Sequence, residues 1–135
     1  MAANVAPIFS RAPKASWGVL TAANVAKDGT GGATTLYTAS IEGAFIQKLI
    51  IRPRGTNVAS VLRVFMNNGL TQATATNNIL IAEVGLIATT LTEVAAIAGQ
   101  DLILNLPLPS AYTLIATLGT AVAGGYAVTA IGGDY

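Results

Sequence analysis

The chain has 135 residues, a net charge of +1, no Cys and no His; 53% of its residues are hydrophobic and only 10% are charged. The missing Cys removes disulfides, thiolate nucleophiles and cysteine metal sites, and the missing His removes the commonest general base, metal ligand and pH switch together. Such a low charge, against about 25% in an ordinary soluble domain, and a mean hydropathy of +0.61 predict a surface covered by neighbouring protein or by a bilayer.

Residues 1–16 carry Pro7, Pro13, Arg11 and Lys14 and show no periodicity. Each proline biases its predecessor toward an extended conformation. The segment reads as an N-terminal arm, disordered alone or ordered on a partner, ahead of a single domain at 17–135. Ile8 and Phe9, isolated between Pro7 and Arg11, are hard to place in the domain's own core and are expected to dock on a neighbouring subunit. Pro7, Ile8, Phe9, Arg11, Lys14 and Trp17 are the candidate partner-binding residues. Trp17, the only Trp, reads first as core anchor of the opening strand and second as a hot spot where arm meets partner.

Strands and turns alternate from Trp17 onward. Strands are expected at 17–22, 33–39, 44–52, 58–66, 79–88, 101–106, 111–118 and 125–131. In the third, Phe45, Gln47, Leu49 and Ile51 would share one face and Ile46, Lys48, Ile50 and Arg52 the other. In the fourth, Val58, Ser60, Leu62, Val64 and Met66 line one face. Asn67-Asn68-Gly69 signals a turn, because Asn and Gly tolerate positive φ. The Thr-rich loop running on to Asn77-Asn78 is longer than most connections and reads as functional or mobile. Residues 90–98 read equally as a short helical turn, capped by Thr90 or Thr92 and ended by Gly99, or as a loop. Eight short strands with turns between them predict an all-β fold, an eight-stranded antiparallel jelly-roll sandwich. The uncharged stretch 111–131 is long enough to span a bilayer, but its glycines, threonines and period of two argue against a membrane helix.

No constellation carries catalysis. The six carboxylates are scattered along the sequence, and the serines lack an activating base. The glycine clusters at 29–32 and 132–133 lack the Lys-Ser/Thr of a phosphate loop. The expectation is therefore no enzyme, no cofactor and no metal. Glu83, in mid-strand, should pair with a base such as Arg63 or face an interface. The first 63 positions hold seven bases and two acids, a net of +5; the rest holds four acids and no base, a net of −4. The simpler reading is that these halves pair across the folded sheets; the sharper one is head-to-tail complementarity between subunits. Balanced charge leaves no strong footprint for nucleic acid.

Three runs resemble segments of small head proteins of tailed bacteriophages: VASVLRVFMNNG at 58–69, LPLPSAY at 106–112 and, most specifically, GYAVTAIGGDY at 125–135. The resemblance covers most of 17–135. It implies a capsid decoration, or cement, protein: a jelly roll, commonly a homotrimer, on the outer surface of the virion's icosahedral shell. Such a protein bridges major capsid subunits against the pressure of packaged DNA. The alternative is a receptor- or glycan-binding sandwich of a phage head or tail fibre, for which exposed loop aromatics would be the expected signature. The tyrosines Tyr37, Tyr112 and Tyr126 fall within expected strands.

Overall fold

The first strand begins five residues earlier than the sequence pattern placed it. The computed structural model describes residues 10–135, so the expectations for Pro7, Ile8 and Phe9 lie outside the described residues. Strand β1 spans Ala12–Leu20 and pairs along its whole length with β8, Tyr126–Asp134. Pro13 and Lys14 therefore belong to the sheet. A proline fits at this position because β1 is an edge strand, where a missing N–H costs no ladder bond on the open side.

Six further strands lie between these two. They are β2 (Thr34–Thr38), β3 (Ala44–Pro53), β4 (Ser60–Asn67), β5 (Asn78–Leu86), β6 (Gln100–Leu108) and β7 (Thr113–Leu118). With β1 and β8 they form two four-stranded antiparallel sheets, ordered β1-β8-β3-β6 and β2-β7-β4-β5. Four of the antiparallel pairings are nested in the chain: β4 with β5, β3 with β6, β2 with β7 and β1 with β8. The protein is thus an all-β sandwich. Residues 90–98 form no helix; among the described residues the one helical turn is a 3₁₀ turn at Ala75–Asn77. The stretch 111–131 divides into β7, a turn and β8, and no helix among the described residues is long and apolar enough to cross a membrane.

Alternation builds the core. Leu102, Leu104, Leu106 and Leu108 of β6 turn inward, while Asp101, Ile103, Asn105 and Pro107 turn outward. Ile46, Leu49, Ile51, Val128 and Ala130 from one sheet meet Leu36, Leu62, Val64, Leu114, Ala116 and Leu118 from the other, all of them buried. Each large aliphatic contributes roughly 1.5–3 kcal/mol by leaving water. The expected faces of β3 need a correction. The pairing register shifts between Ile46 and Lys48 against both neighbours. This bulge at Gln47 puts Ile46 inside together with Leu49 and Ile51, and turns Phe45 to the other face. A bulge adds one residue, so it reverses the parity read along a strand. Val58, expected within the fourth strand on one face with Leu62 and Val64, precedes that strand and is exposed.

The charge halves meet within the molecule. Among the described residues, Lys14 pairs with Asp134 at 3.3 Å, Lys48 with Asp101 at 3.4 Å and Arg63 with Glu83 at 2.8 Å. Each pair joins a base from the first half to an acid from the second, and Glu83 has the partner expected for it.

A polar clamp closes the β1/β2 side. Lys14 Nζ donates to Thr38 O at 2.7 Å and lies 4.4 Å from the centre of the Tyr37 ring. The Tyr37 hydroxyl donates to Asp134 Oδ1 at 3.0 Å. Burial, then the hydrogen bond and charge of Asp134, push the Tyr37 hydroxyl well above the usual tyrosine range. Burial also raises Tyr126. A raised folded-state pKa means that the unfolded chain ionises first. The stabilisation is therefore complete below about pH 10 and falls as the pH rises beyond it, by up to about 1.4 kcal/mol per pH unit for one group. Urea titrations at pH 9 and pH 11 should show this loss in the wild type and a smaller loss in Tyr37→Phe. Equal losses in the two proteins would remove Tyr37 from the account.

Candidate interaction face

The two sheets present different outer surfaces. On the β2-β7-β4-β5 sheet, Phe65 and Ile115 pair in register and are fully buried, although neither belongs to the core cluster between the sheets. The loop 21–33 spans this sheet from β7 to β5. Asn24 N–H donates to Leu118 O at 2.7 Å at one end. At the other, Gln72 Nε2 donates to Gly29 O and Asn78 Nδ2 to Asp28 O, both at 3.2 Å.

The outer face of the β1-β8-β3-β6 sheet carries exposed apolar side chains among the described residues. Its register aligns Trp17 with Thr129, Ile50 and Asp101, and the next row aligns Ala15 with Ile131, Lys48 and Ile103. Trp17 is 67% exposed and Ile103 62%, with Val19 also exposed. Alternation decides this orientation. In β1 the buried positions are Gly18 and Leu20, so Trp17 and Val19 must point away from the core. Trp17 is therefore not the core anchor that its residue type suggested. Gly18 occupies the inward position beside it, where an added Cβ would collide with the Thr34 side chain.

Lys48 and Asp101 pair with each other on this face, and Arg52 stands exposed in the row of Val19 and Ala127. At one end the surface recedes into a hollow of about 330 Å³, with Pro13, Phe45, Asn105 and the two glycines Gly132 and Gly133 in its lining. The glycines leave no side chains there, whereas Trp17 projects from the same face.

The arm residues divide. Arg11 is exposed and its backbone N–H donates to Asp134 O at 2.9 Å. The Lys14 ammonium is engaged by Thr38 and Asp134 of its own chain. Trp17 alone among the described candidates lies on the open face. Val19, Phe45, Ile50, Ile103 and Ile131, which complete it, did not stand out in the sequence. The alternation of β6 could have revealed Ile103, but an isoleucine among four leucines reads as core until the pairing is known.

The loop 67–78 is braced rather than loose. Asn67 Nδ2 donates to Asn78 Oδ1 at 2.7 Å, and Asn68 Nδ2 to Asn77 Oδ1 at 3.3 Å. Beside it, Tyr112, Thr76 and Asn77 help line a groove of about 240 Å³. No group of acidic side chains among the described residues is clustered to hold a metal ion.

Searches against protein-family models, curated proteins and solved structures return no match to this chain. Fold and face together define an all-β sandwich in which, among the described residues, Trp17 and Ile103 stand exposed on the outer side of the β1-β8-β3-β6 sheet.

Proposed function

We propose that this chain is a structural virion protein. It decorates and cements the outer surface of a tailed-phage icosahedral capsid as a homotrimer that bridges major capsid subunits, and it has no catalytic role. The observation that carries this reading is the apolar outer face of the β1-β8-β3-β6 sheet, with Trp17 and Ile103 exposed on it. The nested pairing and the two strand orders support a jelly roll, since winding a long hairpin into two sheets gives this arrangement.

Size then points to mechanism. Strands roughly 4.8 Å apart that rise about 3.3 Å per residue give a four-strand face on the order of 500 Å². A standard stable complex buries about 800 Å² per partner. One such contact is therefore weak, and many copies fixed on a lattice compensate by acting together. Each copy removes apolar surface from water at about 25 cal/mol per Å² before the costs of association. A protein that works in this way needs geometry and number, which a chain with no His and no Cys can supply.

The test is re-addition to capsid shells stripped of the protein. The wild type should bind and raise the temperature at which the shells open. A Trp17→Glu/Ile103→Glu double variant should keep the wild-type circular dichroism and melting profile yet lose at least tenfold in binding, because two charges would be buried without partners. A wild-type chain that stays monomeric by light scattering and leaves the shells unchanged would reject the proposal. The glycan-binding alternative has one observation in its favour, the Tyr112 groove. The amides beside that groove are committed to bonds within the loop, so the apolar face is the stronger ground.

A further inference from the structure

We infer that Asn68 is this chain's site of spontaneous deamidation and that the folded loop 67–78 is built so as to hold the reaction off. Asn68 is the only asparagine followed by glycine. With no side chain on the following residue, the Gly69 backbone nitrogen has the least hindered approach to the Asn68 side-chain carbon. In the reaction the Gly69 nitrogen loses its proton and bonds to Asn68 Cγ. The Cγ–Nδ2 bond breaks and ammonia leaves. Water then opens the resulting ring to aspartate or isoaspartate. No oxidant, reductant or cofactor takes part.

The structure restrains each participant. The nucleophile is held because Gly69 N–H donates to Asn67 Oδ1 at 2.8 Å. The leaving group is held because Asn68 Nδ2 donates to Asn77 Oδ1. The carbonyl is held because Leu70 N–H donates to Asn68 Oδ1 at 3.1 Å. The backbone is held as well: Asn68 N–H donates to Asn77 O at 3.0 Å. Gly69, at φ +85°, lies so close to Ala111 that an added Cβ would sit 2.8 Å from its carbonyl oxygen. Ring closure needs rotation about the Asn68 side chain and about the peptide that follows it. Both rotations break these bonds, so the reaction must wait for the loop to open. Its rate in the folded protein then scales with the fraction of time the loop spends open. Conversion would also remove the Asn68 donor from Asn77 and place a new negative charge on the loop, so the loop would be weakened by its own modification.

The experiment compares the folded chain with the same chain unfolded in urea, both kept at mildly alkaline pH. Trypsin is unhelpful, because no Lys or Arg follows Arg63. Cleavage after glutamate releases residues 43–83, and fragmentation of that peptide locates the mass gain of deamidation. Asn68 should convert first in the unfolded chain and at least about tenfold more slowly in the folded one. Asn67→Ala, which frees the Gly69 N–H, should accelerate conversion in the folded state. Equal rates at Asn68 in the folded and unfolded wild type, or first conversion at another asparagine in the unfolded chain, would overturn the inference. So would an Asn67→Ala variant that folds normally yet keeps the wild-type rate.

Discussion

Replacing Asn57 by Asp should remove a large part of the chain's stability at neutral pH. Asn57 is 4% exposed and its side chain makes four hydrogen bonds. Its Oδ1 accepts from Gly124 N–H at 2.8 Å and Gly125 N–H at 2.9 Å. Its Nδ2 donates to Gly55 O at 3.2 Å and Gly125 O at 3.1 Å. One amide thus ties the turn after β3 to the turn before β8, and its backbone bonds reciprocally with Thr89. Aspartate is nearly isosteric but has no donors. Ionised, it would keep the two glycine N–H bonds on one oxygen but aim the other at two carbonyl oxygens in a buried site, a loss of about 3 kcal/mol or more. Against a total stability of 5–15 kcal/mol, that is a large fraction.

The pH dependence separates this mechanism from simple loss of packing. In the variant, burial and the two facing carbonyls act against the glycine N–H bonds and raise the folded-state pKa of the new carboxyl above its unfolded value of about 3.9. The protonated acid can donate one hydrogen bond, so the deficit should be full near neutral pH and shrink as the pH falls toward that unfolded value. Asn57→Ala, with nothing to titrate, should lose about 3 kcal/mol at every pH by leaving the glycine N–H groups unpaired. Denaturant midpoints at pH 4 and pH 7 for both variants test the pair. Parallel behaviour of Asp and Ala would refute the electrostatic account.

Gly132→Ala should cost about 3 kcal/mol and lower the melting temperature by roughly 10 °C. Gly132 lies in β8, between Lys14 on β1 and Ile46 on β3. An added Cβ would fall well inside van der Waals contact of the Phe45 carbonyl oxygen and 3.0 Å from Ile46 Cα. These are backbone atoms of a neighbouring strand, next to the bulge at Gln47, and they cannot move aside without parting the ladder. Gly85→Ala is the control, because open space surrounds its position and the strand gains a better former than glycine. If the two substitutions shift the melting temperature equally, crowding at β8 is not the reason for the glycine.

The sequence was sufficient for the strands, because alternation of apolar and polar residues is a local property. All eight were legible, most within two or three residues at either end, as was the positive φ of Gly69 at the Asn-rich turn. Lys14 and Pro13 were misread as arm, because β1 draws its pairing from β8, more than a hundred residues away, and no local pattern announces that. The Arg63–Glu83 pair was foreseen as one option; the pairings of Lys14 and Lys48 were foreseen only as halves of opposite charge.

The candidate face depended on tertiary structure almost entirely. Trp17 looks like a core residue on residue type, since burying its large apolar surface is favourable wherever it occurs. What turns it outward is that Gly18 and Leu20 hold the inward positions of an edge strand whose register is set by β8. Phe45 reaches the outer face through a single added residue in β3. The composition predicted apolar surface covered by neighbouring protein or by a bilayer; which sheet leaves large apolar side chains such as Trp17 and Ile103 exposed follows from register. Hydrophobicity is written residue by residue, whereas a face exists only after strands distant in sequence have paired.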